Sequence, residues 1–390
     1  MKIFLFGYFN IPPSMAAGKR TMCLAKGLKN AGADIEIDVV HWYFEGGQVS
    51  SFPPIGEYEG IKYNFVNGEK RYSNGLSLRY DLKYGDNRGA ARYIIDNAKQ
   101  GDIIYVYSGD THTIKKLICA AHRMGCKAVL ELVEIPYYSE SLSARYHRWI
   151  QEKYVLPKLD AISCISEGLM KYAKKHASKT TKFINIPIMV ENNDSQIYDP
   201  IYDFPYIIHT GTMHEQKDGI SIILKAFAQF KKTDKTGCKL VFAGPHSNEQ
   251  CSYIPMMQEL GIFDDILLLG MIKDKNRLAT LQRFATMSIV YRFDNIQTRN
   301  GFSTKMGEVL MSGTPLVTTP IGGHINYLRD KEHAFFVQPG NVNELADTIG
   351  YIFCNSGKAH AIGKRGKELA ETVFNPNYQG SQLYDFFQNL

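Results

Sequence analysis

The chain has 390 residues, enough for two domains of about 190 each. Its 44% hydrophobic and 22% charged content is that of a folded globular protein, and no run of roughly 18 apolar residues offers a transmembrane helix. The net charge of +6 sits in the first half, where residues 1–195 hold 26 basic against 20 acidic side chains; residues 196–390 hold 19 of each. That excess includes Lys171, Lys174, Lys175, Lys179 and Lys182. It suits either a solvated helix face or attraction to an anionic surface, a bilayer or a phosphate-bearing acceptor. Nucleic acid is set aside as a partner because aromatics do not interleave with the basic run. Seven cysteines, an odd number without a Cys-x-x-Cys pair, argue for free thiols, a reducing compartment and no zinc site. The opening MKIFLFG is too short for a signal peptide, which implies a cytoplasmic protein, with a peripheral place at the inner face of the membrane as the alternative.

In chain order, Lys2–Tyr8 reads as a strand and Ile11–Gly18 as a loop rich in Pro, Ala and Gly. A helix from about Lys19 to Ala31 follows, with Gly32 as its stop and Asp34–Val40 as the next strand. The β-loop-α-β order recurs with strand Asp102–Tyr107, helix Thr113–Met124 and strand Lys127–Leu132. Strand Asp160–Ile165 then precedes a helix over 167–175, capped by Ser166. Strands alternating with helices imply parallel sheets covered on both faces. Around 186–204 the pattern breaks into Pro187, Asn192, Asn193, Asp194, Pro200 and Pro205, which marks a domain boundary. A second series follows, with strands at Tyr206–His209, Lys239–Ala243, Ile266–Leu269, Met287–Tyr291, Leu316–Thr319 and Ala334–Val337. Helices over about 219–232, 275–284, 303–312 and 343–353 lie between most of them. The expected domains are 1–198 and 199–374, and the apolar Tyr384, Phe386 and Phe387 suggest that 375–390 returns to the first.

The most informative run is Asn300 to Glu308 (NGFSTKMGE). Ser303 and Thr304 would stand at a helix N-terminus, where free N–H groups and the helix dipole favour an anion. Glu308, four residues past Thr304 on the same face, can accept two hydroxyls beside that anion. A phosphate cradle one turn from a diol acceptor suits a nucleotide. Earlier, the run from His209 to Gly219 delivers a glycine turn at Gly211 and then Lys217 before a helix. That lysine is placed to neutralise a diphosphate at the C-terminal edge of a parallel sheet. His112, His209 and His214 also fall near strand ends. There is no Ser-His-Asp set, metal-spaced His cluster, Gly-x-Gly-x-x-Gly or phosphate loop ending in Gly-Lys-Ser/Thr.

The 300–308 run resembles the donor-binding motif of retaining GT-B glycosyltransferases of family 4, in which two glutamates flank seven residues around a Gly-Phe-Gly turn. Gly301, Phe302 and Glu308 match that frame, Asn300 stands at the first glutamate, and Ser303-Thr304-Lys305 after the aromatic residue resembles a variant found in this superfamily. Gly211 and Lys217 match the family's diphosphate-gripping motif, with Thr212 where an arginine is expected and Arg299 or Arg292 as substitute cation. The turn at Met271 and Ile272 resembles the segment that meets the nucleobase. Gly18 matches the first domain's glycine-rich loop, and Glu134 matches the position of a catalytic-centre residue. The resemblance implies a GT-B fold, two doubly wound Rossmann-like domains facing across a cleft. It also implies sugar transfer with retention from a nucleotide diphosphate sugar, a UDP-sugar first among them, to a saccharide or lipid-linked acceptor in surface polysaccharide or glycoconjugate assembly. Catalysis would involve Glu134, Lys217 and Asn300, with neither metal nor separate cofactor. A sugar-nucleotide epimerase of the same fold, or an inactive transferase-like subunit suggested by Asn300 and Thr212, are the alternatives.

Overall fold

The structure is a computed structural model that describes residues 1–8, 11, 16–40, 52–67, 86–107, 110–136, 138–139, 141–192, 197–245 and 252–390. Part of the expected loop between Ile11 and Gly18, residues 12–15, lies outside them. The chain divides into two compact units, one of Met1–Met189 with Pro376–Leu390 and one of Val190–Asn375.

The first unit is built on an eight-stranded sheet. Its strands are β1 (Lys2–Gly7), β2 (Asp34–Val39), β3 (Ile55–Tyr58), β4 (Ile61–Phe65), β5 (Ile103–Tyr107), β6 (Lys127–Leu132), β7 (Ala161–Cys164) and β8 (Lys182–Asn185), in the order β3-β4-β2-β1-β5-β6-β7-β8. All pairings are parallel except the β3–β4 edge. β5 is buried along its whole length, as expected of a parallel strand covered on both faces. Helix α1 (Ala16–Asn30) starts three residues earlier than Lys19, so Gly18 lies in its first turn rather than in the preceding loop. The last helix of the chain, Pro376–Gln388, packs on α1. The two touch backbone to backbone: a Cβ on Gly27 would stand 2.1 Å from the Pro376 carbonyl oxygen, so nothing larger than glycine fits. Leu383 and Phe387 fill the same core, Phe387 edge-on to Tyr105 at 5.3 Å.

The second unit holds six parallel strands, β9 (Tyr206–Thr210), β10 (Lys239–Ala243), β11 (Ile266–Leu268), β12 (Met287–Val290), β13 (Leu316–Thr318) and β14 (Phe335–Phe336), ordered β11-β10-β9-β12-β13-β14. Both sheets are doubly wound, the fold class expected from alternation alone. The helix expected over 219–232 is Ile220–Lys231, and a short helix not expected, Glu215–Asp218, precedes it, the two separated by Gly219, left-handed at φ 58°. A short helix unforeseen in the sequence, Ile296–Asn300, is closed by a capping box between Asn295 and Thr298.

Candidate functional site

In the second unit the winding reverses between β9 and β12, and doubly wound sheets bind ligands at such a reversal, beyond the strands' C-terminal ends. β9 ends at Gly211, whose φ of 128° is open to glycine alone and whose α-carbon carries the side chain of Lys305 against it. A Cβ on Gly211 would lie 2.1 Å from the Lys305 ammonium. β12 ends just before Arg292, which is latched to β13 by a mutual pair of bonds between its backbone and the Thr319 hydroxyl.

These two cations meet at one carboxylate. Lys305 Nζ donates to Asp218 Oδ1 at 3.0 Å and Arg292 Nη1 stands 3.5 Å from the same oxygen, while the His214 N–H points at Oδ2. Burial pushes the Asp218 carboxyl up, but Lys305, His209 and Arg292 outweigh it and hold the group below the ordinary carboxylate range. Lys305 itself is lowered, first by burial and then by its cationic neighbours Arg292 and Lys217, against the pull of Asp218. Behind the cluster His209 is fully buried, and its pKa falls to about 4 through desolvation and then the charge of Lys305. Its Nδ1 faces the Ile289 carbonyl oxygen at 2.9 Å, which can only accept, so the proton sits on Nδ1. Nε2 is left buried with no partner among the described residues.

The helix Thr304–Ser312 brings Lys305 into this cluster; Ser303 is its N-cap without a side-chain capping bond, and Gly313 ends it in the left-handed region. No side chain therefore caps its first N–H groups. Glu308 lies half-buried one turn further along. The structure thus sets Lys305 against Gly211 just beyond β9 and on Asp218, neither side chain singled out in the sequence, with Ser303 and Thr304 immediately before Lys305 in the chain. Lys305 stood within the quoted motif, but its bond to Asp218 spans 87 residues and no local pattern announces it.

Other expected residues have different surroundings. Arg299 is mostly exposed and bonds Asp294 through both Nε and Nη2. Asn300 turns its amide back to donate to the Ile296 carbonyl at 2.7 Å. Phe302 is buried, its ring packed against Tyr327, Phe374 and His324, while the Gly301 carbonyl accepts from Gly323 at 2.9 Å. Thr212 and Met271 are exposed and Ile272 is half-buried, next to the turn at Gly270 that receives the Gly244 N–H. Glu134, in the first unit, is exposed two residues beyond β6. Gly18 opens the helix that delivers Arg20, and Arg20 is consumed inside that unit. Its guanidinium donates to Glu131 Oε1 at 2.7 Å and to the carbonyls of Ile186 and Pro187. Among the described residues no group of three or more His, Cys, Asp or Glu is arranged to hold a metal ion.

Residues 204–355 match the family model described as glycosyl transferases group 1, a span that contains the whole cluster. That match lies within the second unit, and the chain as a whole has the GT-B fold. Among solved structures, sucrose-phosphate synthase from Thermosynechococcus elongatus superposes with a TM-score of 0.75 at 17% identity, over 100% of this chain and 99% of that one. A glycosyltransferase from Rickettsia africae gives 0.70 at 16% identity over 100% and 98%. The Anabaena protein HepE in complex with UDP-glucose gives 0.69 at 15% identity over 100% of both chains. These likenesses speak to fold. Sequence comparison with curated proteins finds no match.

Proposed function

We propose that the chain transfers a sugar, with retention of anomeric configuration, from a nucleoside diphosphate sugar to a saccharide or lipid-linked acceptor. A UDP-sugar fits best, since HepE, of the same fold, carries UDP-glucose. The observation that supports the reading most is the pair Lys305 and Arg292 on the single carboxylate of Asp218, with the charge of Lys217 close to Lys305. These four side chains sum to two positive charges, which matches the two negative charges of a sugar diphosphate diester. They sit at the sheet reversal beside an uncapped helix N-terminus. In the reaction the bond from the anomeric carbon to the diphosphate oxygen breaks, the diphosphate gains negative charge, and the acceptor hydroxyl adds to the anomeric carbon and gives its proton to the departing diphosphate. Fixed cations and N–H groups aimed at the departing diphosphate stabilise that charge. Glu308, one turn along the helix, would accept the ribose hydroxyls.

Thermal unfolding with a panel of nucleoside diphosphate sugars tests the reading, because a ligand specific for the folded state raises the midpoint by mass action. At least one UDP-sugar is expected to do so, and the same compound should yield UDP only when an acceptor is supplied. No shift with any member of the panel would refute the donor site. An epimerised sugar formed without acceptor would redirect the assignment to an epimerase.

A further inference from the structure

Within the first unit, the helix Leu142–Ile150 runs on through Gln151–Val155 and turns an unusual stripe to solvent. Leu142 is 83% exposed, Tyr146 57%, Trp149 48% and Tyr154 45%. Leu142, Tyr146, Trp149 and Lys153 follow the spacing of one helix face, and Arg145 is exposed beside them. Such spacing of apolar residues ordinarily marks the face that packs on a core, but here the core side is held by Ala144, Gln151 and Val155. The rings are ordered among themselves: Tyr146 stacks on Trp149 at 6.2 Å, and Trp149 meets Tyr154 edge-on at 5.3 Å. The charge on the stripe has one sign. Arg145 and Lys153 make no ion pair among the described residues. The one acidic residue of Leu142–Val155, Glu152, is turned aside to accept from Tyr172 and to face His176.

We propose that this face docks on an anionic bilayer, with Leu142, Tyr146, Trp149 and Tyr154 entering the headgroup region and Arg145 and Lys153 meeting lipid phosphates. Trp and Tyr favour the membrane interface, where a flat ring with one polar edge is half in hydrocarbon and half in water. A helix with large exposed apolar side chains flanked by Lys and Arg lies in that plane, and its binding adds apolar burial to attraction for anionic lipid. Charge decides the occupant, because a second copy of the same face would set Arg145 and Lys153 against like charges. Lysines of the next helix, Lys171, Lys174 and Lys175, are also exposed and add to the same long-range attraction. Docking of this kind is independent of the sugar transfer proposed above, since it requires no donor.

The test uses the full chain and vesicles of phosphatidylglycerol with phosphatidylcholine, against phosphatidylcholine alone. Trp149 is one of only two tryptophans, so Trp42→Phe leaves it as the single reporter. Its emission should shift to the blue on the anionic vesicles and be quenched by brominated lipid. Co-sedimentation of the unsubstituted protein supplies the same reading without that variant. Leu142→Ser with Trp149→Ser should abolish sedimentation. Arg145→Gln with Lys153→Gln should weaken it roughly thirtyfold, at about fivefold per basic side chain near such a surface. Both pairs lie on the surface and leave donor binding unchanged. Equal, negligible binding to both vesicle types at low salt would overturn the proposal. So would full binding by the Leu142→Ser/Trp149→Ser protein, or a concentration-dependent dimer that dissociates on the same substitutions.

Discussion

Replacing Lys305 by methionine separates a donor-binding cation from a merely structural one. The side chain donates to a carboxylate that is 2% exposed. Its loss therefore acts twice. Breaking a buried pair costs about 3–5 kcal/mol when the remaining charge is stranded. The lower end applies here, because Arg292 remains 3.5 Å from Asp218. Donor affinity should fall separately by about 1.5–3 kcal/mol for one charge-assisted hydrogen bond to phosphate, or roughly 10–150-fold in Kd. The double change Lys305→Met with Asp218→Asn removes both charges, so stability should recover most of its loss while affinity for UDP stays low. Isothermal titration with UDP, alongside chemical denaturation of the parent, the single variants and the double variant, reads the two effects independently. A folded double variant that binds UDP as tightly as the parent would show that Lys305 serves Asp218 alone.

Acid should destabilise the second unit well above the carboxylate range. His209 and His324 are both held near pKa 4 by burial first, then in His209 by Lys305, whereas an unfolded histidine titrates near 6.5. The unfolded chain thus binds more protons between those values. The contribution of each is fully present above pH 6.5 and lost as pH falls towards 4, on the order of 3 kcal/mol apiece. Unfolding midpoints should drop over that window, and His209→Asn should flatten the slope; an unchanged profile would refute neutral burial. Glu308→Ala should weaken UDP binding roughly 10–150-fold while leaving inorganic pyrophosphate almost untouched, as titration of both ligands would reveal, because the carboxylate is assigned to the ribose.

Much of the fold was legible because it rests on local repetition. The strands Lys2–Gly7, Ile103–Tyr107 and Tyr206–Thr210 are short apolar runs, and helices separate most of their successors. Gly313 stops its helix where the sequence places it. What escaped is set by contacts between distant segments. Lys305 and Asp218, or Arg20 and Glu131 across 111 residues, are ordinary charged side chains until the sheet brings them together. Ile296–Asn300 is too short to show a helical period, and only its Asn295–Thr298 cap could have suggested it. The helix Leu142–Ile150 was not among the expected elements, and its apolar stripe faces solvent, against the rule by which periodicity identifies a core.

The contact of Gly27 with Pro376 has a consequence for the order in which the protein is made. Residues 190–375 are an insertion, in sequence, within the unit that begins at Met1. On the ribosome that inserted unit emerges whole and can close its core while the first unit still lacks the helix carrying Leu383 and Phe387. Until that helix has been made, the groove on α1 and the edge of Tyr105 stay open to solvent and to chaperones. The unit that starts first is completed last, and deletion of the helix carrying Leu383 and Phe387 would leave the second unit able to fold and the first unfinished.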